Sequence, residues 1–210
     1  TDQGDFYARN ASAELGGMQI VYQAGADIYL LDTETGASRR VEIEHRSPHV
    51  RRNRKFVRPE YWLEDYDLSN EGAYLALVHR GKTFAVGNWE GPTLQLGVHH
   101  RVRYRLTRWL SDGKRVVTVS DQGDQEHLEV HPVVWDAVDG PLPKSYLELD
   151  VGRPREIVIA PSKDQVLLSN HRHELLWVDL ETSELERIEQ NLYGPLTGLN
   201  WSPDGTWIAY

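Results

Sequence analysis

The nine histidines are the residues best suited to metal or proton chemistry in this chain. His171 and His173 are spaced so that both rings point to one side of a strand or turn, and His45 and His49 would share a helical face. Zinc needs three or four ligands that converge on one point, and neither spacing supplies a third. We therefore expect no metal site and interpret the histidines as surface residues of turns. They are His45, His49, His79, His99, His100, His127, His131, His171 and His173.

Residues 76–83 (Ala-Leu-Val-His-Arg-Gly-Lys-Thr) match a loose phosphate-loop pattern in which Ala replaces the first Gly. A working phosphate loop joins a strand to a helix, whose N-terminus holds the phosphate. Here strand-forming residues lie on both sides, which indicates that Gly81-Lys82 is the apex of a hairpin. No Gly-x-Ser-x-Gly elbow occurs either, and the serines near turns are explained as turn caps. We expect no catalytic residue and no cofactor. The turn serines are Ser69, Ser111, Ser162 and Ser202.

A basic run between His45 and Lys55 is the strongest local anomaly in an acidic chain. We interpret it first as an interdomain or intersubunit contact, in which arginines pair with carboxylates. The alternative is a cationic patch that steers the C-terminal carboxylate of a peptide, since the guanidinium group binds a carboxylate through two hydrogen bonds. The candidate contact residues are Arg46, Arg51, Arg52, Arg54 and Lys55.

Composition and charge exclude several classes of protein. The 210 residues include 23 Lys and Arg against 32 Asp and Glu, a formal net charge of −9, which argues against nucleic acid or an anionic membrane as partner. The chain has no Cys, so a disulfide framework is excluded, and no apolar run is long enough to span a bilayer. No segment of this sequence resembles a signal peptide, and we expect a cytoplasmic protein that is a piece of a longer chain. The seven Trp are scattered, which favours packing between structural repeats over a ligand cluster.

Short alternating apolar runs and similar turns recur along the chain and predict an all-β fold. The turns end at Gly72, Gly113, Asp164 and Gly205. A repeat of about 40 residues with four strands per unit is typical of a β-propeller blade. We predict one incomplete propeller domain over residues 1–210, with a basic loop between blades at 45–60. The predicted blades cover residues 5–44, 61–97, 104–149 and 153–191, and a fifth begins at 196–210.

The segment Trp-Ser-Pro-Asp-Gly-x-x-Ile-Ala-Tyr at 201–210 resembles the repeat of tricorn and TolB-type propellers. Four further segments, in this order, resemble the opening blades of the second, seven-bladed propeller of tricorn-like proteases. They are Ile-Val-Tyr at 20–22, Asp-Thr-Glu-Thr-Gly at 32–36, the arginine-rich stretch at 51–58, and Glu-Asp-Tyr-Asp-Leu-Ser at 64–69. The chain departs from the repeat at Asn70-Glu71 and after Asp164, which are both turn positions.

The resemblance implies a non-catalytic propeller segment of a cytosolic serine peptidase whose catalytic domains lie elsewhere. Its role would be to channel or filter peptides and to mediate assembly, with peptides and other domains or subunits as partners. An unfinished propeller also exposes strand edges, through which we expect the chain to associate with copies of itself. Two alternatives stay open: a TolB-like or WD-like protein-interaction scaffold, and the propeller cap of a prolyl-oligopeptidase-type hydrolase.

Overall fold

A computed structural model describes residues 6–44, 46, 48, 50, 56–97, 100–123, 125–135 and 142–210. Its strands group into two compact units, Thr1–Arg58 and Pro59–Tyr210, which we describe separately. The regular structure within these ranges is nearly all β, with a 3₁₀ turn at Pro59–Tyr61. No helix in the described ranges has the length and apolarity to cross a bilayer. The arrangement of all 210 residues as one partial propeller domain stays a prediction.

The first unit is a four-stranded antiparallel sheet of order β1-β2-β3-β4. Its strands are β1 Ala8–Ala13, β2 Gln19–Ala24, β3 Asp27–Asp32 and β4 Ser38–Arg40. The predicted turn after β3 forms because the Asp32 carboxylate accepts hydrogen bonds from the N–H groups of Glu34 and Thr35, at 3.1 and 2.9 Å.

The second unit contains three four-stranded antiparallel sheets and a two-stranded pair. Each of the larger sheets is a meander in which the chain passes from strand to neighbouring strand. The all-β, incomplete-propeller prediction is confirmed. The strands are β5 Leu63–Leu68, β6 Tyr74–His79, β7 Lys82–Gly87 and β8 Thr93–Leu96, then β9 Tyr104–Trp109, β10 Arg115–Ser120, β11 His127–Pro132 and β12 Lys144–Tyr146, then β13 Pro154–Ile159, β14 Gln165–Asn170, β15 Glu174–Asp179 and β16 Glu184–Gln190, and finally β17 Asn200–Trp201 and β18 Ile208–Ala209.

The turns follow the chemistry that their sequences indicate. Arg80 and Gly81 both have positive φ, at 51° and 69°, and join β6 to β7 as a tight hairpin. This confirms that residues 76–83 form a hairpin and not a phosphate loop. Ser202 is a turn cap as predicted, because its hydroxyl accepts hydrogen bonds from the N–H groups of Thr206 and Trp207.

The core of the second unit is a series of apolar clusters between consecutive sheets. Ala76 and Ala85 of the β5–β8 sheet pack with Trp109 and Val116 of the next. A larger cluster joins the β9–β12 and β13–β16 sheets, and a third joins β14 and β15 to Leu196 and Leu199. The tryptophan prediction holds for Trp109, whose ring centroid lies 6.1 Å from that of Tyr74. It is wrong for Trp89, which is 90% exposed.

Gly97 and Gly113 provide a matched pair for testing this packing. Both have positive φ, at 75° and 64°. A Cβ added at Gly113 meets nothing within 4 Å, whereas one at Gly97 overlaps the buried ring of Tyr104, 2.5 Å from its hydroxyl oxygen. We expect Gly113→Ala to cost about 1 kcal/mol of unfolding free energy and Gly97→Ala about 2–5 kcal/mol. Urea denaturation measures both, and equal losses would show that Tyr104 is not tightly packed.

Candidate functional site

The basic run lies mostly outside the described residues. Arg46 is described, and its guanidinium lies 2.8 Å from a carboxylate oxygen of Glu44. Both side chains are highly exposed, so the pair contributes little to stability. Arg51, Arg52, Arg54 and Lys55 lie outside the described residues, as do His45, His49 and His99. The peptide-carboxylate or interface role of the run therefore stays a prediction.

The described chemistry of the second unit is concentrated on the first strands of its sheets. β5, β9 and β13 are each the edge strand of their sheet, and each contacts the first strand of the next: β5 contacts β9, β9 contacts β13, and β13 contacts β17. Polar side chains cross from one first strand to the next. We call the set formed by Asp65, Asp67, Arg105, Arg108 and Glu156 the inner-strand strip.

Carboxylates of the strip bind groups on the following first strand or immediately before it. Asp65 lies 2.6 Å from Nη1 of Arg108, and both side chains are about one-fifth exposed. Asp67 accepts a hydrogen bond of 2.8 Å from the N–H of Trp109. Glu156 accepts two, from the N–H groups of Gly198 and Leu199, at 2.8 and 3.0 Å. These acids satisfy donors of a neighbouring strand, which sequence reasoning did not foresee.

Arg105 connects three segments of the chain. Its Nη2 lies 2.6 Å from Oε2 of Glu126, which precedes β11, and 2.8 Å from the carbonyl oxygen of Pro154 at the start of β13. The other oxygen of Glu126 lies 3.7 Å from Nε of Arg153. The cation thus ties β9 to the turn before β11 and to the next sheet.

Burial and hydrogen bonding have opposite effects on the pKa of Asp67. Burial raises the pKa of its carboxyl group, while the Trp109 N–H and the nearby Arg108 charge pull the pKa down; the net shift is upward. The ionised form is therefore held at an energetic cost. The carboxylate is retained by the hydrogen bond that it accepts from the next strand.

A bulge in each first strand of the larger sheets sets the direction of these side chains. The pairing of β5 with β6 is irregular between Leu63 and Asp65, and that of β13 with β14 between Pro154 and Glu156. In β9 the irregularity coincides with Leu106, a non-glycine residue with φ of 51°. A bulge places two residues opposite one and re-aims the side chain that follows. Asp65 and Glu156 stand directly after such bulges, and no glycine marks these positions in the sequence.

Two histidines depart from the surface interpretation. His127 and His131 are 4% and 3% exposed and lie in β11, with Glu129 between them at 1%. Nε2 of His127 lies 3.1 Å from Oε1 of Glu129, and Nε2 of His131 lies 3.0 Å from Oε2. The surface interpretation is wrong here because a strand places alternate residues on one face. The His-x-Glu-x-His alternation within a predicted strand was the signal that could have revealed this cluster.

The polar side chains of the described site are engaged in contacts within the fold. Among the described residues, no group of three His, Cys, Asp or Glu is placed to hold a metal ion. The carboxylates of the strip are occupied by arginine or backbone N–H partners. Asp65 and Arg108 form an ion pair within the strip, whereas Arg105 pairs with Glu126 outside the strip.

Comparison with known families decides the assignment. The model of the tricorn protease second β-propeller domain matches residues 63–210, which begin at the first residue of β5. The chain belongs to this tricorn propeller family.

Relatives of the tricorn propeller family match beyond that range. A putative tricorn-like protease C-terminal subunit of Sulfurisphaera tokodaii is 33% identical over 211 residues, which cover 100% of this chain and 23% of the relative. A tricorn protease homolog of Saccharolobus solfataricus is 30% identical. The match covers 100% of this chain and 18% of that relative. The chain thus spans about a fifth of the length of these relatives.

Solved structures show the same fold. The crystal structure of the tricorn protease superposes with a TM-score of 0.62 at 23% identity, over 99% of this chain and 19% of that one. TolB from Acinetobacter baumannii superposes with a TM-score of 0.53 at 13% identity, over 98% and 48%. Both likenesses concern the propeller fold.

Asp67 provides a test of how the strip is stabilised. Asp67→Ala removes the acceptor of the Trp109 N–H, and we expect a loss of about 1–3 kcal/mol in unfolding free energy. Asp67→Asn keeps a carbonyl acceptor and removes the buried charge, so we expect stability at least equal to that of the unsubstituted chain. The pKa of Asp67 is raised in the fold, so the cost of its charge is present above that pKa and disappears as the pH falls through it. The advantage of Asn should therefore shrink in mildly acidic buffer.

Urea denaturation at neutral and mildly acidic pH measures these differences. If Asp67→Asn is as unstable as Asp67→Ala, the charge of Asp67, and not the hydrogen bond to Trp109, holds the two sheets together.

Proposed function

We propose that this chain is a non-catalytic propeller segment of a tricorn-like serine peptidase, in which it channels or filters peptides and mediates assembly. The inner-strand strip carries this proposal. The first strands of consecutive sheets lie against one another, and in a closed ring of blades such strands surround an axial channel.

The polar groups of the inner-strand strip suit the passage of a peptide more than its capture. A free strand edge is a template for pairing with an extended peptide. Here Asp67 accepts a hydrogen bond from an N–H group of β9, and Glu156 accepts one from the N–H group just before β17. Arg105 donates a hydrogen bond to the carbonyl of Pro154. A passing peptide would therefore meet a polar surface with few groups left to hold it. The axial channel of such a ring would admit an extended chain and would be too narrow for a folded protein.

Assembly is supported by exposed apolar side chains of the second unit. Trp89 is 90% exposed and Tyr193 is 97% exposed. Large exposed apolar side chains favour contact with a partner surface. The partners that we propose are other domains or subunits of a larger peptidase, including copies of this chain, in a cytoplasmic setting.

Peptide titration followed by nuclear magnetic resonance tests the channelling role. We expect an extended peptide to bind the ¹⁵N-labelled chain weakly and to shift amides of β5, β9 and β13. The peptide should be recovered uncleaved, because catalysis is assigned to other domains. Shifts confined to the outer strands β8, β12 and β16, or the absence of any shift, would contradict channelling. Cleavage blocked by a serine-protease inhibitor would contradict the non-catalytic assignment.

The basic run is tested by replacing Arg51, Arg52 and Arg54 with Ala together. We expect the average mass in light scattering to fall while peptide affinity is unchanged, because interface pairing is the favoured interpretation. A selective loss of affinity for a free-acid peptide over its C-terminal amide, at unchanged mass, would support carboxylate steering instead. A variant with Arg39, Lys114 and Lys163 replaced by Ala has the same change in charge at exposed sites and serves as the control.

A further inference from the structure

Arginines gather where the first strands of two consecutive sheets begin. Arg103 precedes β9 and Arg105 is its second residue, and Arg153 and Arg155 occupy the same two places at β13. We call these four residues the basic rim. Both strands start at the same end of the inner-strand strip, because Arg105 donates a hydrogen bond of 2.8 Å to the carbonyl oxygen of Pro154, the first residue of β13. The rim is thus a cationic patch in a chain whose formal net charge is −9.

Two carboxylates hold three of these arginines in place. Nη2 of Arg103 lies 2.9 Å from Oε2 of Glu64, which belongs to β5. Glu126 lies 2.6 Å from Nη2 of Arg105 through one oxygen and 3.7 Å from Nε of Arg153 through the other. A guanidinium group has five N–H donors. These contacts therefore position the rim and leave donors on it for a further acceptor.

The rim has more positive charge than these two carboxylates neutralise. The side chain of Arg103 is 50% exposed and that of Arg153 is 62% exposed. Arg155 is exposed as well, and no carboxylate pairs with it in the part of the chain that the structure describes. The excess positive charge therefore lies on side chains that a ligand in solution can reach.

Other acidic groups near the rim have partners of their own. Asp150 lies 2.9 Å from Nη1 of Arg172. Asp121 accepts a hydrogen bond of 2.6 Å from the backbone N–H of Arg103. Burial lowers the pKa of Lys82, and the charge of Asp121 opposes that shift, so this carboxylate already acts on a cation of the neighbouring sheet. Neither carboxylate is left to cancel the charge of the rim.

The opposite ends of the first strands carry acidic residues. Each of the four turns that follow a first strand contains one carboxylate, and these are Glu71, Asp112, Asp164 and Asp204. Arg115 pairs with two of them, at 2.6 Å from Asp112 and 2.7 Å from Asp164. An extended peptide with two charged termini therefore meets guanidinium groups at one end of the strip and carboxylates at the other.

We propose that the basic rim binds the C-terminal carboxylate of an extended peptide, so that the peptide lies on the inner-strand strip with its C-terminus where the first strands begin. The guanidinium group suits this ligand, because it donates two parallel hydrogen bonds to the two oxygens of a carboxylate. The ammonium group of the peptide is attracted to the acidic turns at the other end. This inference rests on the channelling proposal and adds a direction to it.

The binding by the rim is weak and sensitive to salt. Its side chains are largely exposed, so each ion pair with a peptide gains little in water and is screened by dissolved ions. A weak contact at the end of the strip orients a peptide without holding it there. The rim is therefore compatible with passage along the strip.

A peptide of about eight residues is long enough to span a six-residue first strand and reach the turn beyond it. Titration of the ¹⁵N-labelled chain at low salt compares this peptide as the free acid and as the C-terminal amide. We expect the free acid to bind about fivefold more tightly and to shift further the amides where β9 and β13 begin. Arg153→Ala combined with Arg155→Ala should abolish this preference and leave the affinity for the amide unchanged.

Lys114→Ala combined with Lys163→Ala removes the same charge from exposed sites at the opposite end and is the matched control. It should keep the preference for the free acid. Equal affinity for acid and amide, with both peptides shifting the first strands, would overturn the rim and leave channelling intact. The absence of shifts with either peptide would contradict both proposals.

A nitroxide on the peptide tests its direction. Next to the C-terminus, the nitroxide should broaden the amides of Arg105 and Arg155. Next to the N-terminus, it should instead broaden those of Asp112 and Asp164. The reverse pattern, or equal broadening at both ends from either position, would show that the rim does not orient the peptide.

Discussion

Each sheet of the second unit depends on the next sheet to satisfy its polar and apolar groups. Apolar faces are buried between consecutive sheets. Carboxylates of the β5–β8 and β13–β16 sheets bind backbone donors at or just before the next first strand, and Arg105 of the β9–β12 sheet binds the carbonyl of Pro154. A lone four-stranded sheet has neither a two-sided core nor a protected edge. The stability of one blade is therefore a property of a pair of blades, as in repeat proteins, where neighbour interfaces supply much of the free energy of folding.

The interfaces between consecutive sheets differ in chemistry. The one between the β9–β12 and β13–β16 sheets is apolar, with Leu128 and Val130 of β11 in its core. The opposite side of β11 presents Glu129 and its histidines. Nearby, a buried chain of hydroxyl groups runs from Thr83 of β7 to Thr107 and Thr118, with oxygens 2.9 Å apart at each step. Polar groups in a dry interface require specific partners. The interface between the β5–β8 and β9–β12 sheets therefore selects one alignment of the two sheets, whereas an apolar interface would tolerate several.

The fold was predictable because the turns are local. Ser202, Gly72 and Gly113 act through residues three to five positions away, and the recurrence of such turns is enough to predict four-stranded blades. The family resemblance at 201–210 and 64–69 was visible for the same reason. Tertiary contacts were not visible. The pairing of Asp65 with Arg108 depends on a bulge that no glycine marks, and the burial of His127 and His131 depends on which face of β11 meets the neighbouring sheet.

The carboxylate links between consecutive sheets have a direction along the chain. Asp65 and Asp67 precede Arg108 and Trp109, and Glu156 precedes Gly198 and Leu199, by 42 or 43 residues in each case. In these carboxylate links the acceptor is therefore made before the donor that it binds, whereas in the link from Arg105 to the carbonyl of Pro154 the donor comes first. A chain that leaves the ribosome from its N-terminus meets, at each new first strand, a finished sheet whose carboxylates are already in position. The unit can be assembled vectorially, one blade at a time, without waiting for its C-terminal end.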